Sequence, residues 1–167
     1  NSTVRTYPMI VRRMRCSKTL WVVCGIVAVM VTMTWRLGAD SFLYADWEML
    51  LKQCITREGI NDTVLNDHTY LLYRFVDDIA RLDKKIYNTW SRKEKMAFWI
   101  NAYNAYALVC CVRNPHAEDL REVEGWNYEP CVIFGEELSL ADMKHVYLRG
   151  IFDDERIHFA LAAPARG

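Results

Sequence analysis

The chain has 167 residues, 52% apolar and 25% charged, a composition that folds and excludes an intrinsically disordered chain. Lysine plus arginine equals aspartate plus glutamate at 21 each, so net charge gives no argument for a nucleic-acid partner. The balance conceals a gradient: Arg5, Arg12, Arg13, Arg15 and Lys18 crowd a basic tail over residues 1–18, and every acidic residue lies at or after Asp40.

Residues 19–35 read TLWVVCGIVAVMVTMTW, without a charge or a proline. About 17 residues make roughly 25 Å of helix, the lower limit for crossing a bilayer. Trp21 and Trp35 stand near its ends, where indole rings favour the interface. The basic cluster precedes the segment and Arg36 alone follows it closely, so the positive-inside rule predicts a single-pass membrane protein with a cytoplasmic N-terminus and an extracytoplasmic main domain. A signal anchor and a cleaved signal peptide both fit this pattern.

A domain over residues 40–167 follows. Asp40 and Ser41 are expected to cap a helix that buries Leu43, Trp47, Leu50, Leu51 and Cys54 and stops before Gly59. Asn61, Asp62, Asn66 and Asp67 mark a loop, and Asn61-Asp62-Thr63 matches a glycosylation sequon. A second, amphipathic helix sets Leu71, Leu72, Phe75, Ile79 and Leu82 against Arg74, Asp77, Asp78 and Arg81.

Ser91 with Glu94 forms a capping box for a third helix, and Asn114-Pro115 ends it near Arg113. This helix is apolar nearly all round, which makes it central to the domain. Within it, AFWINAYNAY sets Asn101 and Asn104 three apart among aromatic residues, and buried amides need hydrogen-bond partners. A loop is expected over residues 116–130, then a short hairpin from Cys131 to Phe134 with a turn at Gly135-Glu136 and Leu138 beyond it. Ser139 with Asp142 caps a fourth helix closed by Gly150, placing Asp142, His145 and Arg149 on one α-helical face. The alternation of Ile157, Phe159 and Leu161 around His158 predicts a buried strand from Arg156 to Ala163. The fold class expected is α+β, helix-rich, behind an N-terminal transmembrane helix.

Three blocks, Trp99-Ile100-Asn101 with Tyr103-Asn104-Ala105, Ser139-Leu140 with His145, Leu148 and Arg149, and Arg156-Ile157-His158-Phe159-Ala160-Leu161, resemble the motifs of the domain-of-unknown-function family 547. The helix around Ala45, Asp46, Trp47, Leu50 and Leu51 fits that family's opening, so the resemblance runs from Ser41 to Gly167. Two positions depart from it. Lys144 stands where the family has glutamate, and Ala163 replaces the cysteine that usually follows the last block. The chain reads as a fragment in which the C-terminal part of the family's domain is missing.

Chemistry is weighed on the same residues. Asn101, Asn104, His145, Arg149, Arg156 and His158 form a candidate polar centre, in which the two amides bond to Arg156, His158 and His145. That centre reads either as a structural network that docks the central helix or as a site that binds or turns over a ligand. No nucleophile motif is visible, and the catalytic residues are unknown. No Cys/His spacing suggests a metal, and no cofactor is implied. Cys110 and Cys111 read as small core residues. The expected function is an exported domain that binds a small ligand or a protein partner. The alternative is a thiol-dependent hydrolase or transferase in the complete family, its nucleophile outside this chain.

Overall fold

The structure, a computed structural model, describes residues 44–56, 59–117 and 123–161. The predicted membrane segment 19–35, the basic tail and the Asp40-Ser41 cap lie outside the described residues. Among the described residues no helix is long and apolar enough to cross a membrane.

The architecture is helix-rich α+β. Helix α1 (Ala45–Cys54) buries Trp47, Leu50 and Cys54 and leads directly into a two-strand ribbon, β1 (Ile55–Thr56) paired antiparallel with β2 (Gly59–Ile60). The expected loop after it is instead a short helix, α2 (Asp62–Asp67), because the Asn61 side chain accepts from the Val64 amide at 3.2 Å and caps it. Helix α3 (Thr69–Arg81) follows with Leu71, Leu72, Phe75 and Ile79 buried as the spacing predicts. It packs on α1, with Trp47 stacked on Phe75 and Arg74 paired to Asp46 at 2.9 Å. A further short helix, α4 (Lys84–Thr89), is capped by Asp83.

Helix α5 (Arg92–Arg113) is the centre of the fold. Its capping box forms as expected, and every residue from Phe98 to Cys110 is buried. Around it pack α3 on one side and a helical segment from the C-terminal half on another. That half contains a one-turn 3₁₀ helix at Trp126–Tyr128 and the hairpin of β3 (Pro130–Ile133) and β4 (Glu136–Ser139).

The hairpin turns at Phe134-Gly135, one residue earlier than expected, with φ of 55° and 75°. Both values being positive makes a turn whose twist suits a two-residue connection. The turn also closes α3: the amides of Phe134 and Gly135 donate to the carbonyls of Ile79 and Ala80 at 3.3 and 2.7 Å. The Phe134 ring sits against Phe98, Tyr87 and Trp99, which holds this residue in its left-handed conformation.

After the hairpin two expectations are corrected. The Ser139-Asp142 capping box forms, but the α-helix it starts, α6 (Leu140–Asp142), becomes a π-helix over Met143–Phe152. The helical run therefore passes Gly150 and ends two residues later at Phe152, followed by Asp153, which takes the left-handed conformation common at helix ends. Arg92, from the first turn of α5, donates to the Phe152 carbonyl at 2.6 Å and satisfies one of the end's free acceptors. The strand expected from Arg156 to Ala163 is instead, over its described part, a one-turn helix, α7 (Ile157–Ala160). Ile157 and Ala160, three apart, are buried, while Phe159 is 57% exposed, so the burial has helical rather than alternating spacing.

Candidate functional site

The two asparagines of α5 are buried at 6% exposure each, as the sequence requires, but they dock different elements. Asn101 accepts from the Trp47 indole nitrogen at 3.3 Å and also hydrogen-bonds the Tyr44 hydroxyl, which ties α5 to the start of α1. Asn104 donates to the Ala160 carbonyl at 2.9 Å and so holds α7. The backbone of the last sequence block, not its charged side chains, meets this amide.

The expected polar centre is not gathered in one place. Arg156 is exposed and forked onto Asp154 at 2.9 and 2.7 Å, and this pairing pulls the Asp154 carboxyl down to about 2. His158 is exposed, its ring edge-on to Phe159. His145 and Arg149 are exposed on the π-helix. Because i→i+5 bonding changes the residues per turn, the single α-helical face expected for Asp142, His145 and Arg149 does not hold beyond Met143. Asp142 itself is engaged with Ser139, accepting from its hydroxyl at 2.6 Å.

A different site emerges where the π-helix packs on α5. Trp99 stacks on Tyr147 of the π-helix with ring centroids 4.0 Å apart, and its indole nitrogen donates to the Tyr87 hydroxyl at 2.9 Å. One turn along α5, Tyr103 is fully buried, and its hydroxyl has no hydrogen-bond partner. A buried, unpaired hydroxyl costs about 1–3 kcal/mol, which native structures accept chiefly where a water or a ligand completes the bond. Burial pushes this phenol up to about 12, and nearby Cys110 adds to the shift while the positive charge of Arg149 opposes it. The hydroxyl is therefore a neutral donor close to a guanidinium.

Lys144 is half-buried on the same π-helix, and burial together with repulsion from Arg149 moves its pKa down. Neither Lys144 nor Arg149 forms an ion pair among the described residues, unlike Arg74, Lys84, Arg113 and Arg156. Sequence reasoning noted Lys144 as a departure and Tyr103 as part of a motif, but gave neither a role. A phenol in an all-round buried helix was the available signal, because its hydroxyl needs a partner as much as the amides beside it do.

The thiols are placed for packing rather than chemistry. Cys54, Cys110 and Cys131 are free and buried; burial pushes them up to about 11, 11 and 12. A nucleophilic thiol needs the opposite shift. Among the described residues no three His, Cys, Asp or Glu side chains converge to hold a metal.

No curated protein and no solved structure matches the chain. The model of the family described as "Protein of unknown function, DUF547" matches residues 87–167, a stretch that begins within α4 and holds α5, the hairpin, the π-helix and α7. It contains all three sequence blocks, although the match starts at residue 87 and the sequence resemblance extended back to Ser41. The DUF547 model thus matches the chain from residue 87 onward, in agreement with the resemblance carried by the three blocks.

Proposed function

We propose that the protein is held in a membrane by residues 19–35 and carries its DUF547 region on the far side as a binding domain, whose small ligand sits where the π-helix meets α5. One observation carries the binding reading: the Tyr103 hydroxyl is buried, unpaired and close to Arg149. A single buried donor beside a guanidinium suits a small polar ligand better than a flat protein surface. A π-helical segment agrees with this reading, since such segments occur frequently at functional sites. The high pKa values of Cys54, Cys110 and Cys131 take these three buried thiols out of consideration as nucleophiles.

Two measurements test the proposal. A reporter fused after Gly38 should be active outside the cytoplasm and fractionate with membranes; a soluble cytoplasmic fusion would sink the anchored, exported reading. The full chain in neutral detergent, melted against a panel of small polar metabolites, should gain stability from at least one. That gain should be lost in Tyr103→Phe. A panel without any such compound would remove the binding reading.

A further inference from the structure

Two Asn-x-Ser/Thr triplets occur in the chain, Asn1-Ser2-Thr3 and Asn61-Asp62-Thr63, and the apolar segment 19–35 lies between them. In the exported reading above, on which this inference rests, the second triplet alone lies beyond the membrane. There Asn61 is an amide held in place yet open to solvent. Its side-chain oxygen accepts from the Val64 amide at 3.2 Å, its backbone N–H donates to the Cys54 carbonyl at 2.8 Å, and its own carbonyl accepts from the Leu65 amide at 2.8 Å. The remaining polar group, the side-chain nitrogen Nδ2, makes no hydrogen bond among the described residues, and the residue is exposed. Thr63, two positions on, is exposed as well, and its hydroxyl is equally unengaged among the described residues.

We infer that Asn61 accepts an N-linked oligosaccharide. The donor is an oligosaccharide carried on a polyprenyl pyrophosphate, on the same side of the membrane as the domain. Asn61 Nδ2 forms a C–N bond to the anomeric carbon of the donor's first sugar. The C–O bond from that carbon to the pyrophosphate breaks, its electron pair leaves with the lipid pyrophosphate, and Nδ2 releases one of its two protons. The product is still an amide with its carbonyl intact, so the bond from the Val64 amide survives and α2 keeps its cap. A bulky, solvated glycan needs a surface position, and the exposed Asn61 provides one, while α2 meets the core through Leu65. Asn101 and Asn104 do not compete for this role, since both are buried and neither has Ser or Thr two positions on.

The test expresses the full chain in cells that carry out N-linked glycosylation and compares its electrophoretic mobility before and after treatment with peptide N-glycosidase. A single glycan, removed in one step, is expected. The enzyme leaves aspartate at the released position, so mass spectrometry of the treated chain locates the acceptor. Asn61→Asp and Thr63→Ala should each abolish the mobility step, whereas Thr63→Ser, which keeps a hydroxyl at this position, should retain it. Aspartate caps a helix about as well as asparagine does, so Asn61→Asp removes the acceptor nitrogen without removing the cap of α2. A step that persists in Asn61→Asp would overturn the assignment. The reporter fused after Gly38 separates the remaining failures. An exported reporter with an unglycosylated chain removes Asn61 as an acceptor and leaves the exported reading standing; a cytoplasmic reporter removes both. A glycan on Asn1 in place of Asn61, lost in Asn1→Gln, would reverse the orientation of the chain and overturn both as well.

Discussion

The Tyr106 hydroxyl donates to the Val132 carbonyl at 2.6 Å and accepts from the amide of the same residue at 2.9 Å. In the β3–β4 register Ile133 faces Glu136 beside the turn, and hydrogen-bonded pairs alternate along the ladder. The polar groups of Val132 consequently point away from β4. One phenol on α5 takes the place of a third strand and pins the hairpin to the central helix. Tyr106→Phe should therefore cost about 1–3 kcal/mol, read from the urea midpoint, and speed amide exchange at Val132. Unchanged exchange there would show that water replaces the hydroxyl without penalty.

The two buried amides allow a more selective experiment, because they hold opposite ends of the described chain. Asn101→Leu leaves the Trp47 indole nitrogen and the Tyr44 hydroxyl without their partner, while Asn104→Leu strands the Ala160 carbonyl. Each substitution should destabilise by about 1–3 kcal/mol. Hydrogen exchange should loosen α1 in the first variant and α7 in the second. Equal loosening of both elements in both variants would mean that the amides act through α5 as a whole.

What was legible in the sequence follows from how local the determining interactions are. The start and end of α5 were readable because a capping box and an Asn-Pro pair act within a few residues, and both formed at the expected positions. The hairpin was readable from a glycine turn. Helices α2 and α4 were not recognised, although Asn61 and Asp83 are ordinary caps, because six residues are too few for hydrophobic periodicity to show. The block from Arg156 to Leu161 misled for a related reason: Ile157, Phe159 and Leu161 alternate, but exposed Phe159 contributes no buried face. The π-register from Met143 has no local code, since the same capping box starts α- and π-helices alike. That register controls which side chains share a face, so the placing of Lys144 and Arg149 one turn from each other could not be read before the fold was known.

The Phe134-Gly135 turn supplies a prediction about backbone strain. Gly135 has φ of 75° and open space where a side chain would stand, so alanine there meets no atom but must adopt a left-handed conformation. Gly135→Ala should cost about 1–2 kcal/mol in the thermal or urea transition. Gly135→Asn should cost less, because asparagine tolerates this region better. Equal losses in the two variants would point to a steric cause instead. Gly150 differs: a Cβ there would approach the His145 carbonyl at 3.3 Å, so Gly150→Ala reports on the π-helix bonding itself.

Stability should fall steeply in alkali. Free thiols titrate near 9.0, whereas burial pushes Cys54 and Cys110 up to about 11 and Cys131 up to about 12. Tyr106 moves the same way, from 10.0 to about 12, through burial opposed by its bond to Val132. In each case the folded state keeps its proton at a pH where the unfolded chain has released it. Between these values the native protein binds more protons than the unfolded one, so the free energy of unfolding decreases as pH rises. The contribution is whole below pH 9.0, where both states are protonated, and is lost as pH climbs through the folded values of about 11 to 12. Urea unfolding measured at steps through this window should show a progressive loss, less steep in Cys131→Ala once its lower starting stability is subtracted. Native thiols should also resist iodoacetamide at about pH 8 and react fully when urea is added. A flat stability profile across the window, or rapid labelling of the folded protein, would show that these cysteines are not held as protonated core residues.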